Sequence, residues 1–352
     1  MKYPLHSSVE EMLSPNSLSE LTGRRIRTVR LRPMADRQGV SGNQLLLVET
    51  DDGKRSGGAR YILKRMSLER DWIMRVSNDR RCRSVTLWQS GLLDELQPEL
   101  SHAIISCSHD DEGWAILMHD VSPGLLPWDR YIDPTANEAY LHSLAHLHAR
   151  FWNSPALEQP ALGLSTLAEL TAVTTPGPLS LDGYAEGFKV LSKVYAPDVA
   201  DILCRLVADP QPLFDVLAHY PSTLVHGDFK RTNLAWNISP QMPVVAFDWQ
   251  MAAIGPPTME LGWYFATLLS PPAPPDICIE LYQGYLASML GSCFDECRWQ
   301  PLLELGMLTT VIRTCTSTAN SIINGTNQAS RDNSLKHLPM WSEWVRAGSK
   351  WL

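Results

Sequence analysis

The sequence lacks the long apolar runs that would place it in a membrane. No stretch of about 18 consecutive apolar residues, the length that a spanning helix requires, occurs in the 352-residue chain. The N-terminal segment MKYPLHSSVEEMLS has two glutamates and no apolar stretch behind basic residues, which is unlike a secretory signal. We therefore predict a cytoplasmic protein without a membrane partner.

Cysteines are few and follow no pairing pattern. The seven cysteines are odd in number and scattered, as expected for reduced thiols in a cytoplasm. Cys293 and Cys297 are one helical turn apart and could share a metal ion, but no second Cys or His pair with zinc spacing accompanies them. Packing in the core is the favoured interpretation of both residues.

Long basic segments are also absent. The basic runs are short and are not interleaved with aromatic residues, so the sequence does not indicate a nucleic-acid surface. The net charge of −8 is uneven: residues 1–100 hold 17 basic and 13 acidic residues, and the remainder holds 13 basic and 25 acidic residues. This division suits a first part that binds an anion and a second part that binds a less anionic or cationic partner. A solvated acidic surface explains the second part more simply.

The composition indicates a globular protein with two lobes. Hydrophobic residues make up 44% and charged residues 19% of the chain, a normal globular balance, and the length allows two lobes. In the first part, the patterns predict strands at 24–32, 44–50 and 60–67, a helix at 83–96, and a hairpin around the turn at 110–113. These elements make a small, mostly antiparallel sheet with one helix.

The pattern becomes helical after residues 122–127. It predicts a long amphipathic helix at 136–153 and a loop rich in Pro, Gly, Ser and Thr at about 155–182. Further helices are predicted at 183–195, 197–207, 212–219, 259–269, 276–290, 299–323 and 338–347. Only LVH, NLAW and VVAFDW look like strands in this part. The fold class is α+β, with one lobe at 1–118 and the other at 119–352.

Two polar segments in the second part indicate chemistry: TLVHGDFKRTN (223–233) and VVAFDWQ (244–250). If 233–237 and 244–249 pair as a hairpin, Asn233 and Asp248 lie side by side and Asp228 hangs from the loop above them. Such oxygen ligands suit Mg²⁺ rather than zinc. Phosphoryl transfer needs this set, because one Asp accepts the proton of the attacking hydroxyl while an Asn and a second Asp hold Mg²⁺.

Structural roles are the alternative for these residues. Asp228 and Asn233 could cap turns, although capping gives no reason for Asp248 on an apolar strand. His226 is interpreted as a brace whose ring bonds to the backbone or to Asp248. Three histidines lie on the helix predicted at 136–153: His142, His146 and His148. Only the first two share a helical face and no carboxylate ligand accompanies them, so packing is favoured over zinc.

The spacing H-x-D-x4-N followed by a strand Asp is that of the protein-kinase catalytic and metal loops, with Gly227 where an Arg is usual. The chain resembles the aminoglycoside phosphotransferase and choline kinase family of small-molecule kinases. VVAFDWQMAAIGPPTMELGWYFA (244–266) resembles the family segment around the metal Asp, and LHSLAHLHARFWN (141–153) resembles its long helix before the catalytic loop. The resemblance implies a protein-kinase-like two-lobe fold, with a small antiparallel-sheet N-lobe and a larger, mainly helical C-lobe.

The resemblance implies an ATP- or GTP-dependent phosphotransferase that uses Mg²⁺. Asp228 would be the catalytic base, with Lys230 beside it as a second catalytic residue. Asn233 and Asp248 would be the metal ligands. Lys64, in the third strand RYILKRM, would grip the phosphates of the nucleotide.

The remaining nucleotide contacts implied by the resemblance come from backbone. The segment LMHDVS (117–122) matches the hinge between the lobes, where the backbone of Met118 and His119 would bind adenine. Gly39 and Gly42 in GVSGN would let the backbone approach the phosphates, although an ordinary hairpin turn explains them equally well.

Two departures from the family pattern limit the transfer of roles. The kinase fold pairs the strand lysine with a helix Glu, but the aligned position here is Ser84, and neither Glu69 nor Glu95 is well placed. Lys64 is therefore unpaired or held differently, which leaves a weakened or inactive enzyme open. Glu260 stands where the family usually has Asp, a change compatible with a structural role.

The acceptor is predicted to be a small-molecule hydroxyl. Only twelve positions separate Asp248 from Glu260, too few for the activation segment on which protein kinases dock peptides. The acidic second part favours an amine-bearing acceptor, and its candidate contacts are Asp276, Glu280, Asp295, Glu296, Glu304, Trp263, Tyr264, Trp341 and Trp344. Antibiotic, choline-like, amino-acid and sugar acceptors stay open, and so does a catalytically silent kinase-like protein that binds nucleotide or a partner.

Overall fold

The computed structural model describes residues 1–34, 41–53, 58–111, 113–126, 131–268 and 272–352. The chain divides by its contacts into two compact units. The first unit comprises Met1–Leu125, Pro160–Gly163 and Leu234–Gln250, and the second comprises Leu126–Gln159, Leu164–Asn233 and Met251–Leu352. The boundary predicted at residue 118 follows sequence order, whereas each of these units gathers several segments of the chain.

The structure is of mixed helix and strand content, as predicted. The strands are β1 Thr28–Pro33, β2 Gln44–Asp51, β3 Arg60–Met66, β4 Ser101–His102, β5 Ile104–Asp110, β6 Gly113–His119, β7 Thr223–Val225, β8 Leu234–Ser239, β9 Met242–Ala246 and β10 Ala253–Gly255. The helices are α1 Val9–Met12, α2 Pro15–Thr22, α3 Trp72–Val76, α4 Arg83–Ser90, α5 Pro134–Arg150, α6 Leu167–Ala172, α7 Asp182–Val194, α8 Pro197–Ala208, α9 Gln211–Leu217, α10 Pro257–Ala266, α11 Pro275–Leu290, α12 Glu296–Asn324 and α13 Gln328–Ser349.

An antiparallel sheet in the order β1-β2-β3-β6-β5 forms the centre of the first unit. Alternate residues of its strands, among them Val48, Leu63 and Leu117, are buried in one core cluster together with residues of α1 and α2. Pairing of β3 with β6 sets Lys64 opposite Ile116. The sheet therefore fixes the strand lysine in a central position.

A second sheet of the first unit confirms the predicted hairpin near the metal motif. β8 and β9 pair antiparallel, with Leu234 opposite Ala246, and β4 adds to β9 in parallel. A small core cluster that includes Ala103, Ala235 and Val245 lies against these strands. Asp248 follows β9 directly, so the end of this strand determines where its carboxylate lies.

The second unit is built around α12, which packs against α7, α10 and α13. Its core cluster combines residues of α7, α8 and α9 with the inner faces of α12 and α13. β7 and β10 form a short antiparallel pair, with Val225 opposite Ala253. Within the described ranges, no helix is both long and apolar enough to span a bilayer.

The helix predicted at 83–96 is interrupted at Gly91. α4 ends at Ser90, and a 3₁₀ turn from Leu92 to Leu96 follows. Gly91 adopts a left-handed conformation with φ of 82° and donates its N–H to the carbonyl of Trp88, which terminates an α-helix. The predicted apolar face is nonetheless buried on both sides of the break.

Helix α6 is absent from the sequence prediction and α13 was predicted too short. α6 lies in the segment predicted as loop, although Thr166 and Glu169 form a capping box, a signal that is visible in the sequence. α13 begins at Gln328, ten residues before its predicted start, under a cap from the Asn327 side chain. Its first turns, QASRDNS, carry too few apolar residues to produce a helical period.

Candidate active site

Asp228 lies in the loop that follows β7, and three side chains bind its carboxylate. The Nδ2 of Asn233 donates to Oδ2 at 2.8 Å, and the Nζ of Lys230 lies 2.9 Å from the same oxygen. The indole Nε1 of Trp263, on α10, donates to Oδ1 at 3.0 Å. The structure thus brings together the predicted residues Asp228, Lys230 and Asn233, and it adds Trp263. Because each of these three partners is a donor, the carboxylate is an acceptor at both oxygens.

The backbone before Asp228 is held by Glu260, from the first turn of α10. Its carboxylate accepts the N–H of Gly227 at 2.6 Å and the N–H of His226 at 2.8 Å. Glu260 is 1% exposed, so these bonds form away from water and fix the loop strongly. Glu260 therefore has a structural role in this loop, with which the change from the usual Asp is compatible.

The conformation of Gly227 explains why the usual Arg is missing. Its φ is 78°, a left-handed value that favours glycine. A Cβ at this position would also overlap the backbone carbonyl of Met251. The loop can therefore take this course only with glycine.

His148 contacts the carboxylate of Glu260, which binds the backbone of the loop. Its Nε2 lies 3.1 Å from Glu260 and its Nδ1 lies 2.6 Å from the hydroxyl of Tyr282. The ring is buried and satisfied, as the packing interpretation predicts. His226 also has a bracing contact, because its Nδ1 accepts the N–H of Asp228 at 3.3 Å. Within the described residues, no group of three or more His, Cys, Asp or Glu could hold a metal ion.

In the first unit, Lys64 is held by residues that follow β9. Its Nζ donates to Oδ1 of Asp248 at 2.6 Å and to Oε1 of Gln250 at 3.3 Å. Asp248 adopts a φ of 68°, a strained value for a residue with a Cβ and one that is frequent at functional sites. The Oγ of Ser84, the position of the missing helix Glu, is buried and has no hydrogen-bond partner among the residues that the structure describes. Lys64 is therefore held differently from the kinase pattern.

The segment that carries Asp248 is anchored by a buried arginine. Arg83, at the start of α4, donates Nη1 to the carbonyl of Gln250 at 2.5 Å and Nε to the carbonyl of Gly163 at 2.6 Å. The side chain of Asn43 donates to Oε1 of Gln250 at 3.3 Å. Oε1 of Gln250 also accepts a hydrogen bond from Lys64, so the lysine is held by both Asp248 and Gln250.

A buried acid lies close to this group. Asp71 caps α3, where its Oδ1 accepts the N–H groups of Ile73 and Met74. Its Oδ2 is buried and has no hydrogen-bond partner within the described part of the chain. Burial raises the pKa of Asp71, and the charge of Lys64 opposes that rise. Sequence reasoning considered Glu69 and Glu95 but not Asp71 as the acid nearest to the lysine.

The predicted phosphate-loop glycines are only partly described. Gly39 lies outside the described residues. Gly42 has a φ of 96°, and a Cβ there would overlap the backbone carbonyl of Arg70. Close packing of the backbone thus requires this glycine, and its predicted contact with phosphate stays a prediction.

The predicted hinge residues lie at the end of β6. Met118 is opposite Ile62 of β3. The N–H of His119 donates to the carbonyl of Ala103 at 2.8 Å, so this donor is already used in the structure. The adenine contacts predicted for the two residues stay predictions.

Three of the residues proposed to contact an acceptor are engaged in other roles. Asp295 caps α12 through the N–H of Cys297, and Glu304 accepts from the indole of Trp351 at 2.6 Å. Tyr264 is buried, and its hydroxyl donates to Asn137 at 3.0 Å. Trp263 is different, because it contacts Asp228 directly. The core-packing interpretation of the two cysteines near Asp295 is wrong, since Cys293 and Cys297 are exposed.

Arg313 is a residue of the site that sequence reasoning missed. It lies on α12, and its Nη2 donates to the carbonyl of Gly227 at 2.9 Å. The sequence carries a signal for it, because Arg313 is the only charged residue between Glu304 and Arg331. A lone charge in a long uncharged helix is a candidate for burial with a specific partner.

The chain is similar to known phosphotransferases and kinases along most of its length. The choline kinase of Cryptosporidium parvum has a TM-score of 0.53 at 12% identity, covering 90% of this chain and 89% of that one. The macrolide 2′-phosphotransferase MphH of Brachybacterium faecium has a TM-score of 0.46 at 17% identity, covering 91% and 95%. The aminoglycoside phosphotransferase APH(3″)-Id of Streptomyces rimosus, solved with ADP and streptomycin, has a TM-score of 0.44 at 14% identity, covering 82% and 92%.

These comparisons define the fold and the family. No curated protein sequence matches the chain significantly. The likeness to choline kinase shows the protein-kinase-like fold that the sequence predicts. Residues 38–300 match the model of the phosphotransferase enzyme family. Because this match spans most of the 352 residues, the chain belongs to the phosphotransferase enzyme family.

Proposed function

We propose that the protein is an ATP- or GTP-dependent O-phosphotransferase that acts on the hydroxyl of a small molecule. The observation that carries the proposal is the carboxylate of Asp228, which donors contact at both oxygens. A carboxylate fixed in this way can orient a hydroxyl and accept its proton as the phosphorus is attacked. Membership of the phosphotransferase enzyme family supports the same reaction type.

Asp228 and Lys230 share the acceptor side of the reaction. Asp228 receives the proton of the hydroxyl and directs its oxygen at the phosphorus. The ammonium of Lys230, 2.9 Å from Oδ2, adds a positive charge near the atoms where negative charge develops in the transition state. Lys230 also limits the positions that the carboxylate can take.

The residues present fit the chemistry of a magnesium site. The side-chain N–H of Asn233 donates to Asp228, so the amide oxygen of Asn233 is the atom left for coordination. Asp248 offers a carboxylate, and hard oxygens of both kinds suit Mg²⁺, with phosphate and water as further ligands. When bound, Mg²⁺ would neutralise charge on the phosphates. We propose Asn233 and Asp248 as its ligands.

Lys64 is the proposed phosphate contact of the first unit. In the structure its ammonium is bonded to Asp248, which places a cation next to a proposed metal ligand. Negatively charged phosphates would compete with Asp248 for this ammonium. The proposal also includes backbone contacts of Met118 and His119 with the nucleotide base and of Gly39 and Gly42 with phosphate.

The acceptor is proposed to be a small molecule, with an amine-bearing one favoured. The excess of acidic residues beyond residue 100 supports an amine. The cationic Lys230 lies beside Asp228, so an amine would be bound away from the base, by acidic side chains on the helices. The proposal places no nucleic acid or membrane among the partners.

The substitution Asp228→Asn tests the proposed function. It keeps the shape of the side chain but removes the charge and the basicity. We expect turnover to fall by about a hundred- to ten-thousandfold, while the affinity for ATP·Mg²⁺ stays close to that of the wild type. A nucleotide-consumption assay with a panel of hydroxyl metabolites gives the rate, and calorimetry gives the affinity.

A matched control is Asp201→Asn, which changes an exposed Asp on α8 and should leave both quantities unchanged. If affinity falls together with turnover in Asp228→Asn, Asp228 serves the metal or the fold. If turnover is unchanged, the proposed mechanism is wrong. Nucleotide binding by the wild type without turnover on any acceptor would favour a silent nucleotide-binding protein.

A further inference from the structure

We propose that Trp263 and Arg313 are positioning residues for Asp228, a role that rests on the proposed function. The carboxylate of Asp turns easily about the Cβ–Cγ bond, because this terminal torsion has broad minima. Bonds to only one oxygen therefore leave the orientation of the carboxylate poorly defined. Asn233 and Lys230 both bind Oδ2 of Asp228. The indole of Trp263 supplies the donor to Oδ1.

Trp263 is suited to this role because its polar group is a donor alone. The indole Nε1 carries one hydrogen and cannot accept, so the atom that it binds must be an acceptor, as Oδ1 of Asp228 is. The bond length of 3.0 Å is normal for an N–H donor. With donors on both oxygens, the carboxylate plane is fixed before any acceptor arrives. Such preorganisation reduces the cost of reaching the reactive geometry.

Arg313 holds the indole and the backbone at the same time. Its guanidinium carbon lies 4.1 Å from the ring centroid of Trp263, within the range of a cation–π contact. Its Nη2 donates to the carbonyl of Gly227, the residue before Asp228. Arg313 therefore links the side chain that binds Oδ1 to the peptide that carries the base.

The burial of Arg313 argues against a role in packing alone. The side chain is 1% exposed, and its Nε and Nη1 have no hydrogen-bond partner among the described residues. Burial lowers the pKa of Arg313 to about 10, although Asp228, Glu260 and Tyr184 act in the opposite direction. A buried cation with unsatisfied donors is destabilising compared with an apolar residue of similar size. Its two contacts around Asp228 give a reason for this cost.

The substitution Trp263→Phe separates the hydrogen bond from the packing, because Phe keeps a ring beneath Arg313 and removes the N–H. We expect kcat to fall roughly a hundredfold, the size of effect that a small misplacement of a catalytic group produces. The KM for the nucleotide should stay within twofold of the wild type. The matched control is Trp351→Phe, which removes the indole N–H of an exposed residue that donates to the carboxylate of Glu304 and should leave kcat unchanged.

A spectroscopic measurement tests the contact independently of turnover. The chain has 12 tryptophans, and the indole N–H signal of Trp263 in a ¹H–¹⁵N spectrum is identified by its loss in Trp263→Phe. This signal should move in Asp228→Asn, which replaces the charged acceptor, and should stay in place in Asp201→Asn.

The outcomes distinguish this inference from the proposed function. An active wild type with an unchanged kcat in Trp263→Phe overturns the positioning role and leaves the proposed function intact. An indole signal that does not respond to Asp228→Asn overturns the contact itself. A wild type without turnover on any acceptor overturns the proposed function, and the catalytic part of this inference with it. Arg313→Lys, which keeps the charge but loses the planar fork, should reduce kcat in the same direction as Trp263→Phe.

Discussion

The hydrogen bonds of Glu260 lead to a prediction whose size can be worked out from the structure. Its Oε1 accepts the N–H of Gly227, and its Oε2 accepts the N–H of His226 and lies 3.1 Å from the ring of His148. Glu260→Gln keeps the size of the side chain but leaves one acceptor oxygen. Whichever way the amide is turned, its NH₂ group faces a buried donor.

The expected loss of stability follows from these three bonds. Hydrogen bonds to a charged group contribute about 1.5–3 kcal/mol each. Glu260→Gln removes at least one of them and weakens the others, so we expect the free energy of unfolding to fall by roughly 2–4 kcal/mol. For a unit of about 200 residues, this corresponds to a decrease in Tm of roughly 5–15 °C. Turnover should fall as well, because the backbone before the base loses its support.

Thermal unfolding followed by circular dichroism measures this change. The matched control is Glu343→Gln on α13, where the glutamate is exposed, and its Tm should stay close to that of the wild type. If Glu260→Gln melts within the range of this control, the carboxylate of Glu260 does not hold the loop.

Two further predictions concern the first unit. Asp248→Ala should abolish the Mg²⁺ dependence of nucleotide binding measured by calorimetry, and unchanged binding at ordinary Mg²⁺ would remove Asp248 from the proposed metal site. Asp71→Asn should raise the Tm at pH 7, because Asn retains the helix cap and no buried charge remains. Burial raises the pKa of Asp71 in the folded state above its unfolded value of about 3.9. The contribution of the protonated side chain to stability is therefore complete below the unfolded pKa, and it is lost as the pH rises through the folded pKa. The advantage of the variant should therefore vanish near pH 4, and an equal difference in Tm at pH 4 and pH 7 would contradict this assignment.

Local patterns allowed much of the fold to be predicted. The alternation in β2 and β3 and the apolar periods of α7, α8 and α11 depend on neighbours in sequence, and these elements are confirmed within a few residues. α13 was predicted too short because its beginning is polar and is stabilised by a side-chain cap. The break at Gly91 needed the backbone conformation, which an apolar period does not report.

In the candidate site as well, local groupings could be predicted from the sequence and long-range contacts could not. Asp228, Lys230 and Asn233 belong to one short loop, so the loop sequence was sufficient to group them. The partner of Lys64 is 184 positions away along the chain, and Arg313 is 86 positions from the carbonyl that it binds. Contacts of this kind depend on how helices and sheets pack, and no local pattern specifies them.

Gly227 and Glu260, two positions near the base where the usual residue is replaced, are supported by one arrangement of side chains. Gly227 lacks the side chain of the usual arginine, but Arg313 brings a guanidinium to the carbonyl of the same residue. Glu260 has one methylene more than the usual Asp, and its carboxylate binds two consecutive N–H groups of the loop. Both side chains originate on helices that pack against each other, α10 and α12. The packing of these two helices therefore helps to order the backbone that carries Asp228.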